Sequence, residues 1–341
     1  MKRFPKVVSS FIFGVSVVAC GGGGGSTTQP TSQVVVQPVV TVQLSSIVTA
    51  VQTNTYTALS EEAFAFDLLN AERSRCGFGT LKANSQLNAA AKAHADYQLI
   101  NNLDSHFEDA SLYPNGFTGV NSAARVLFQG YTEAGSVADE YAYAQGLTSK
   151  TGVGAKGIRG LLAAPYHLVG MTGGFRDVGI AVRSSTDVAA SNPAVFLHTN
   201  LAFKTSEGAQ LQAGDEVKTY PCDGSTGLDR RLTSEAPNPV PGRNLATSPL
   251  GPSIYVQLRE GNVLTITRAT MTQKSSGAVI LLRTPVTSTN DVHGIYKSHQ
   301  GMLTADAPVA VNSEFNVLIE GTNNGVAFTP KSFMFTTGSG G

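Results

Sequence analysis

Residues 69–77 read LNAERSRCG and residues 87–95 read LNAAAKAHA, and these two stretches are the main evidence for the fold of the first half of the chain. In each region, apolar side chains recur three and four positions apart, which is the spacing of one helix face. The first stretch predicts a helix that starts after Ser60, which can cap it, and stops at Gly77. The second predicts a helix that starts near Ser85 and buries its leucine and alanine side chains.

The chain that follows contains further helical segments and then strands. A third helix is predicted over 136–146, where a serine and an aspartate have the spacing of a capping box, and a fourth over about 155–164. Alternating apolar residues then predict strands over 178–183 and 194–204. Helices followed by strands, without strict alternation, indicate an α+β layered domain, which we place at 59–221.

The last third of the chain has a different pattern. Residues 222–241 are rich in Pro, Gly, Ser and Asp and show no periodicity, so we interpret them as a linker. Residues 242–341 contain short β-prone runs that are separated by turn residues, without a helical pattern. This pattern predicts a small all-β sandwich of the immunoglobulin-like type as a second domain.

The N-terminal residues predict export and attachment to a membrane. Basic residues at the start, an apolar run of 13 residues over 7–19 and small residues at its end describe a signal peptide at 1–19. A membrane-spanning helix needs about 20 apolar residues, so this run is too short to span. The junction Val-Val-Ala-Cys resembles a bacterial lipobox, which implies a lipid on Cys20 and makes 20–58 a flexible tether. The alternative is an ordinary signal peptide with an incidental cysteine.

The composition argues against nucleic-acid partners and limits the roles that the cysteines can have. The formal net charge is zero and charged residues make up only 14%, which argues against nucleic-acid binding. If Cys20 carries lipid, Cys76 and Cys222 remain. In an oxidising compartment such a pair forms a disulfide more often than a metal site or a nucleophile.

The ordered motifs of residues 59–204 resemble those of the CAP superfamily, which includes cysteine-rich secretory proteins, insect antigen 5, plant pathogenesis-related proteins and many bacterial secreted proteins. The motifs are the two quoted stretches, His106, Phe117-Thr118-Gly119, Arg125, Gly130-Tyr131, Pro165-Tyr166-His167 and Gly179-Ile180. The resemblance implies an α-β-α sandwich. It also implies a cleft that groups two histidines with two acidic residues.

Carried over by position, the cleft histidines are His106 and His167, which lie at the ends of predicted helices. The resemblance makes Glu133 the first acid, with a solvated loop carboxylate as the alternative. Glu140 is the nearest candidate for the second acid, although the family places this residue near a tryptophan and the chain has no Trp. Such a cleft can hold Zn²⁺ or another divalent cation on its imidazoles, or use a His–Glu pair as a general base.

The other histidines and one glycine motif receive structural interpretations. His94 lies on the apolar face of the second predicted helix, so we expect it in the core. His198 is expected to face solvent, and His293 and His299 to lie exposed in a polar loop. The sequence GVGAKG at 152–157 fits G-x-G-x-x-G by letters only, because no strand precedes it, and we expect a flexible loop.

These observations favour a lipid-anchored binding or scaffolding module of the bacterial cell envelope, held to the membrane through Cys20 and facing an unidentified envelope or extracellular ligand. Gly21 after the cysteine, rather than an aspartate, favours the outer membrane. A binding role is favoured over catalysis because the chain has no G-x-S-x-G or H-E-x-x-H motif and no cysteine expected to be free. Two alternatives stay open: a secreted, peptidase-like hydrolase with His106, His167 and Glu133 as catalytic residues, and a lipid- or sterol-binding protein.

Overall fold

The structure of the protein is a computed structural model that describes residues 43–339. The predicted signal peptide at 1–19, the predicted lipid site at Cys20 and the first part of the predicted tether lie outside the described residues. Within the part of the chain that is described, every helix is too short or too polar to cross a bilayer.

The first half of the described chain is built on one four-stranded sheet. Its helices are α1 (Glu61–Arg75), α2 (Ser85–Asn101), α3 (Ser122–Phe128), α4 (Val153–Ala163) and α5 (His167–Thr172). Its strands are β1 (Lys82–Ala83), β2 (Ala134–Gln145), β3 (Asp177–Ser184) and β4 (Ala194–Lys204), in the order β1-β3-β4-β2. Helices α2 and α3 pack on one face of the sheet and α1, α4 and α5 on the other, so the predicted α-β-α sandwich is confirmed.

The first two helices begin where the sequence predicts, because their caps are local. Ser60 accepts a hydrogen bond from the Ala63 N–H at the start of α1, and Asn84 accepts one from the Leu87 N–H at the start of α2. Helix α2 then crosses β3 directly above Gly179, where a Cβ atom would collide with the backbone of Leu87. This glycine therefore sets how closely α2 approaches the sheet.

One predicted helix is wrong, because residues 136–146 lie mostly in strand β2. The strand pairs antiparallel with β4, and Asp139 lies opposite Asn200 and Tyr141 opposite His198. Its valine and two tyrosines suit a pleated surface, and pairing with β4 outweighs the local serine–aspartate spacing that suggested a helix cap. The short helix α3 has no counterpart in the sequence predictions.

The second half of the described chain consists of strands. They are β5 (Lys218–Tyr220), β6 (Ser225–Leu228), β7 (Ser253–Gln257), β8 (Leu264–Gln273), β9 (Val279–Ile280), β10 (Val286–Thr287), β11 (Gln300–Thr304), β12 (Glu314–Asn323), β13 (Val326–Ala327) and β14 (Lys331–Thr337). One sheet has the order β10-β11-β7-β5 and the other β6-β14-β12-β8-β9, with β13 paired to β12. Buried side chains from both sheets, among them Tyr255 and Phe315, belong to one apolar cluster that continues into the helical layers. The α+β class is confirmed, with a sheet-rich C-terminal region.

Residues 43–58, which belong to the predicted tether, lie against the folded part of the chain. The Ser46 N–H donates to the Leu211 carbonyl at 2.8 Å, and the Tyr56 hydroxyl donates to Asn88 Oδ1 at 2.6 Å. Composition predicts flexibility here, but these hydrogen bonds attach the segment to α2 and to a distant loop. The prediction of a free tether is therefore wrong for this part of the chain.

The predicted linker at 222–241 is also a packed segment. It begins with a disulfide between Cys76, directly after α1, and Cys222, which confirms the predicted pairing. Strand β6 follows, and Leu232 and Leu250 then exchange backbone hydrogen bonds of 2.9 and 3.1 Å within a small buried cluster. The missing periodicity of this segment reflects an irregular backbone that is nevertheless packed.

Candidate functional site

The two predicted cleft histidines come together at the outer edge of the first sheet. His106 lies in the loop that follows α2, and His167 is the first residue of α5, so they approach the edge strand β2 from opposite faces. Their ring centroids are 6.3 Å apart. Pro165, which cannot continue α4, separates that helix from α5 and allows the chain to change direction just before His167.

A buried carboxylate orients His106. Nδ1 of His106 is 3.1 Å from Asp139 Oδ2, and the same oxygen accepts a hydrogen bond from Arg125 Nη2 at 2.9 Å. Arg125 also donates through Nη1 to the His106 carbonyl at 3.0 Å. An ionised carboxylate can only accept, so Nδ1 of His106 carries a proton and Nε2 is the ring nitrogen that remains for a ligand.

Asp139 stays ionised although its side chain is buried. Burial by itself would raise the pKa of this carboxyl group, but the hydrogen bond from His106 and the charge of Arg125 hold the pKa well below its usual range. Arg125 is completely buried as well, and burial lowers the pKa of its guanidinium while Asp139 and Glu108 oppose that effect. Nδ1 of His106 is therefore hydrogen-bonded to a carboxylate that stays ionised.

A second buried carboxylate orients His167, and it comes from the predicted linker. Nδ1 of His167 is 3.2 Å from Glu235 Oε1, and the same oxygen accepts a hydrogen bond from the Tyr166 N–H at 2.9 Å. The Glu235 side chain is fully buried, whereas the His167 ring is partly exposed. Glu235 is not among the predicted site residues, because it lies in the aperiodic segment 222–241, where no local signal marks it.

Glu133, the first predicted acid, does not reach the cleft. It is exposed just before β2, with a left-handed φ of 59°, and its carbonyl accepts a hydrogen bond from the Thr205 N–H. Asp139 lies six residues further along the chain, inside β2, which corresponds to about 20 Å at the usual rise of a strand. The prediction of Glu133 is therefore wrong, and Asp139 is the acid that contacts His106.

Glu140, the second predicted acid, lies beside the cleft on the face of β2 opposite to Asp139, since neighbouring residues of a strand alternate. Its carboxyl group packs against Gly170, about one turn after His167, and a side chain at Gly170 would collide with it. Burial, together with the negative charges of Asp139 and Glu235, raises the pKa of Glu140 well above its usual value. The acid that contacts Nδ1 of His167 is Glu235, so Glu140 is a neighbour of the pair.

Residues 66–194 match the family model of the Cysteine-rich secretory protein family, CAP. Residues 66–194 therefore belong to a CAP domain. Among solved structures, an outer surface protein from Borrelia burgdorferi is 13% identical over 44% of this chain and 97% of its own length, with a TM-score of 0.33. An extracellular protein containing a SCP domain from Bacillus anthracis strain Ames is 21% identical over 42% of this chain, with a TM-score of 0.32, and the match spans 40% of that protein. No curated protein matches the sequence.

Below the cleft, the CAP domain buries a polar layer around His94. Nδ1 of His94 is 2.9 Å from Glu108 Oε1, and Nε2 is 3.1 Å from the Ser105 carbonyl. Glu108 also accepts hydrogen bonds from two backbone N–H groups of the turn at 117–119. His94 is fully buried, as predicted, and it ties α2 to the loop that carries His106.

His198 is fully buried in β4, which contradicts its predicted exposure. Nε2 of His198 is 2.5 Å from Gln98 Oε1, and Nδ1 is 3.5 Å from Asp139 Oδ1. Burial lowers the pKa of His198 to about 4, so the ring is neutral at pH 7. Strand β4 lies inside the sheet with helices on both faces, and alternation along such a strand does not separate buried from exposed residues.

The two histidines of the C-terminal region differ in exposure. His293 is exposed, as predicted, and its Nε2 is 2.9 Å from the Asn238 carbonyl. His299 is buried, contrary to the prediction, because its backbone pairs with the chain just after β7, and burial lowers its pKa. With Glu140 and Lys297 it borders a cavity of about 580 Å³ between β2, α5 and the C-terminal sheets.

Histidine nitrogens are available to a metal ion in two parts of the CAP domain. In the buried layer, ligand atoms of His94, Asp139 and His198 lie within 4.8 Å of one another, so this group could hold an ion. Nε2 of His94, however, already faces the Ser105 carbonyl, and the Arg125 guanidinium contacts Asp139. A cation bound there would have to displace the first contact and would lie close to the Arg125 charge.

The cleft histidines fit the donor chemistry of a cation better. His106 and His167 each place Nδ1 on a buried carboxylate, which leaves Nε2 as the free ring nitrogen. Metal-binding histidines show this arrangement, because the carboxylate fixes the tautomer and increases the basicity of the nitrogen that binds. The donor set therefore suits Zn²⁺ or another divalent ion that accepts imidazole.

The glycine motif at 152–157 serves packing. The Glu61 carboxylate accepts hydrogen bonds from the N–H groups of Gly152 and Gly154, each at 2.7 Å, so an acid from α1 already covers the start of α4. A side chain at Gly154 would collide with the Glu61 carbonyl. Residues 153–157 form the start of helix α4 and are hydrogen-bonded to α1, so the expectation of a flexible loop is wrong.

Proposed function

We propose that this protein is a binding or scaffolding module of the bacterial cell envelope, and that its CAP cleft receives the ligand at His106 and His167. One observation carries the proposal: the two rings lie 6.3 Å apart and each has its Nδ1 on a buried carboxylate. Two pre-oriented imidazoles with free Nε2 atoms are suited to bind a ligand or a cation without reorganising the domain.

A divalent cation is the ligand that this donor set favours. His106 and His167 would hold it through their Nε2 atoms, and Asp139 and Glu235 would keep both rings in the required tautomer. When bound, such an ion can hold a ligand that carries oxygen or nitrogen donors. Zn²⁺ is the first ion to test, because imidazole is among its preferred ligands.

The proposed location rests on the sequence. The signal-like start, the lipobox-like junction at Cys20 and the following Gly21 support lipid anchoring at the outer membrane. The disulfide between Cys76 and Cys222 is consistent with an oxidising compartment. Incorporation of a clickable fatty acid into the full chain, with Cys20→Ala as the control, tests the anchor; equal labelling of both proteins would refute it.

The metal proposal is tested by zinc analysis and titration calorimetry on the purified full chain. We expect one Zn²⁺ per chain, lost in both His106→Ala and His167→Ala. Glu314→Ala removes an exposed carboxylate of strand β12, outside the cleft, and should retain the ion. Zinc that persists in both cleft variants would place the ion elsewhere, and a wild-type protein that binds none would refute the metal centre.

The hydrolase alternative is favoured by one observation, the contact of His106 with ionised Asp139, since such a pair can act as a general base. Hydrolysis would also require a nucleophile and donors that stabilise an oxyanion. Incubation of the wild-type protein and His106→Ala with peptide and cell-wall substrates separates the two functions. Hydrolysis by the wild type but not by His106→Ala would show that the protein is an enzyme and would overturn the proposal of a binding module.

A further inference from the structure

Glu235 lies 41 residues beyond the end of the segment that matches the CAP family, yet it is part of the cleft. Its side chain has no exposed surface, and Oε1 lies within hydrogen-bond distance of both the Tyr166 N–H and Nδ1 of His167. A glutamate is rarely buried so completely without a partner that uses its charge. Its contact with Nδ1 of His167 therefore indicates that Glu235 acts on this histidine.

The C-terminal region also forms hydrogen bonds with Pro165 and Tyr166, the two residues before His167. The Tyr166 hydroxyl donates to Asp291 Oδ1 at 2.9 Å, and the Tyr296 hydroxyl donates to the Pro165 carbonyl at 3.1 Å. The rings of Tyr166 and Tyr296 are also in contact, with centroids 5.4 Å apart. Residues 165–167 are thus held by side chains that lie outside the CAP domain.

We infer that the C-terminal region completes the CAP cleft, with Glu235 as a positioning residue that selects the tautomer of His167. The Glu235 carboxylate accepts only, so it favours the ring with the proton on Nδ1 and leaves Nε2 available in the cleft. The Tyr166 N–H holds the same oxygen and fixes the direction of this contact. The part of this inference that concerns a bound ion rests on the proposed function, whereas the tautomer of His167 does not.

The tautomer is measured directly by long-range ¹H–¹⁵N NMR of the histidine ring nitrogens in the metal-free full chain, with His167→Gln used to assign the signals. In the wild type we expect the pattern of a protonated Nδ1 and an unprotonated Nε2 at His167. Glu235→Leu removes the acceptor and should shift the ring toward the Nε2–H form. Glu235→Gln keeps an acceptor oxygen for the Tyr166 N–H and should shift it less.

Zinc titration supplies the second readout. Both Glu235 variants should bind Zn²⁺ about 10- to 100-fold more weakly than the wild type, as is typical when the partner of a metal-binding histidine is lost. Glu260→Gln changes an exposed glutamate of the same region and should leave the tautomer and the affinity unchanged. A tautomer shift without zinc binding in any protein would retain the positioning role and reject the metal function.

Two results would overturn the inference. One is a His167 ring that keeps its wild-type tautomer in a folded Glu235→Leu protein. The other, if Glu235→Leu does not fold, is a folded Glu235→Gln protein whose His167 signals match the wild type at every pH between 6 and 8. Either result would mean that Glu235 serves only to satisfy the Tyr166 N–H.

Discussion

Asp139 and Glu235 orient the two cleft histidines with the same chemistry, yet they belong to regions of the molecule that are built differently. Asp139 lies in the long strand β2 and contacts Arg125, which is buried within the CAP domain. Glu235 lies in an irregular segment beyond the CAP match and reaches His167 through packing of the C-terminal region. The acid beside His106 therefore belongs to the sheet of the CAP domain, whereas the acid beside His167 comes from a segment outside that domain.

Similar histidine–carboxylate contacts can therefore contribute differently to the stability of the fold. The Asp139 half includes a buried cation, a neutral buried histidine and a strand with long-range pairing, so altering it should affect folding strongly. The Glu235 half is a single carboxylate that meets a ring and one backbone N–H. We expect its loss to alter the site more than the fold.

The largest effect is expected for Arg125→Met, which should lower the free energy of unfolding by about 3–5 kcal/mol, because it leaves the Asp139 carboxylate buried without its cationic partner. Urea denaturation followed by circular dichroism measures this change. Arg268→Met is the matched control, since Arg268 pairs with Glu320 at the surface and its loss should change stability by less than about 1 kcal/mol. Equal effects of the two variants would contradict the comparison.

The next effect is a pH dependence due to His198. Its pKa is about 4 in the fold and about 6.5 in an unfolded chain, so the unfolded state binds more protons between these values. The contribution of His198 to the free energy of unfolding is complete above about pH 6.5. It falls as the pH drops, by up to about 3 kcal/mol near pH 4. The difference between the wild type and His198→Asn, measured by urea denaturation at several pH values, should shrink over this window. A difference that is constant with pH would show that His198 does not titrate there.

The smallest effect is expected for Glu140, whose environment differs from that of its neighbour Asp139. The pKa of Glu140 is raised in the fold, so this group favours folding at low pH, and that contribution is lost as the pH rises above the ordinary value for a glutamate. Glu140→Gln should therefore have nearly the wild-type melting temperature at pH 4 and an increasingly higher one toward pH 8. Asp139→Asn should lower the melting temperature at pH 7, because the pKa of Asp139 is depressed. Two shifts of the same sign would show that both carboxylates occupy similar environments.

Much of the fold could be predicted from local signals. Ser60 caps α1, an apolar face predicts α2, and the strands that became β3 and β4 alternate or are continuously apolar. Strand β2 could not be predicted in this way, because its local spacing suggests a helix and only pairing with β4 makes it a strand. The acids Glu133 and Glu140 were instead carried over by position from the family resemblance. Asp139 was missed because a segment predicted as a helix does not show the alternation of β2, which directs Asp139 to one face and Glu140 to the other.

Local sequence signals specify where most helices and strands begin and which residue types are available for a site. Helix caps, apolar periodicity and the two remaining cysteines act over a few residues or by simple counting, and the cleft histidines belong to recognisable motifs. Which carboxylates contact those histidines depends on long-range packing, because Asp139 is placed by strand pairing and Glu235 by the packing of a segment without periodicity. The tertiary structure also decides that His198 is buried and neutral, since burial and the resulting loss of hydration depend on what the rest of the chain places around a side chain.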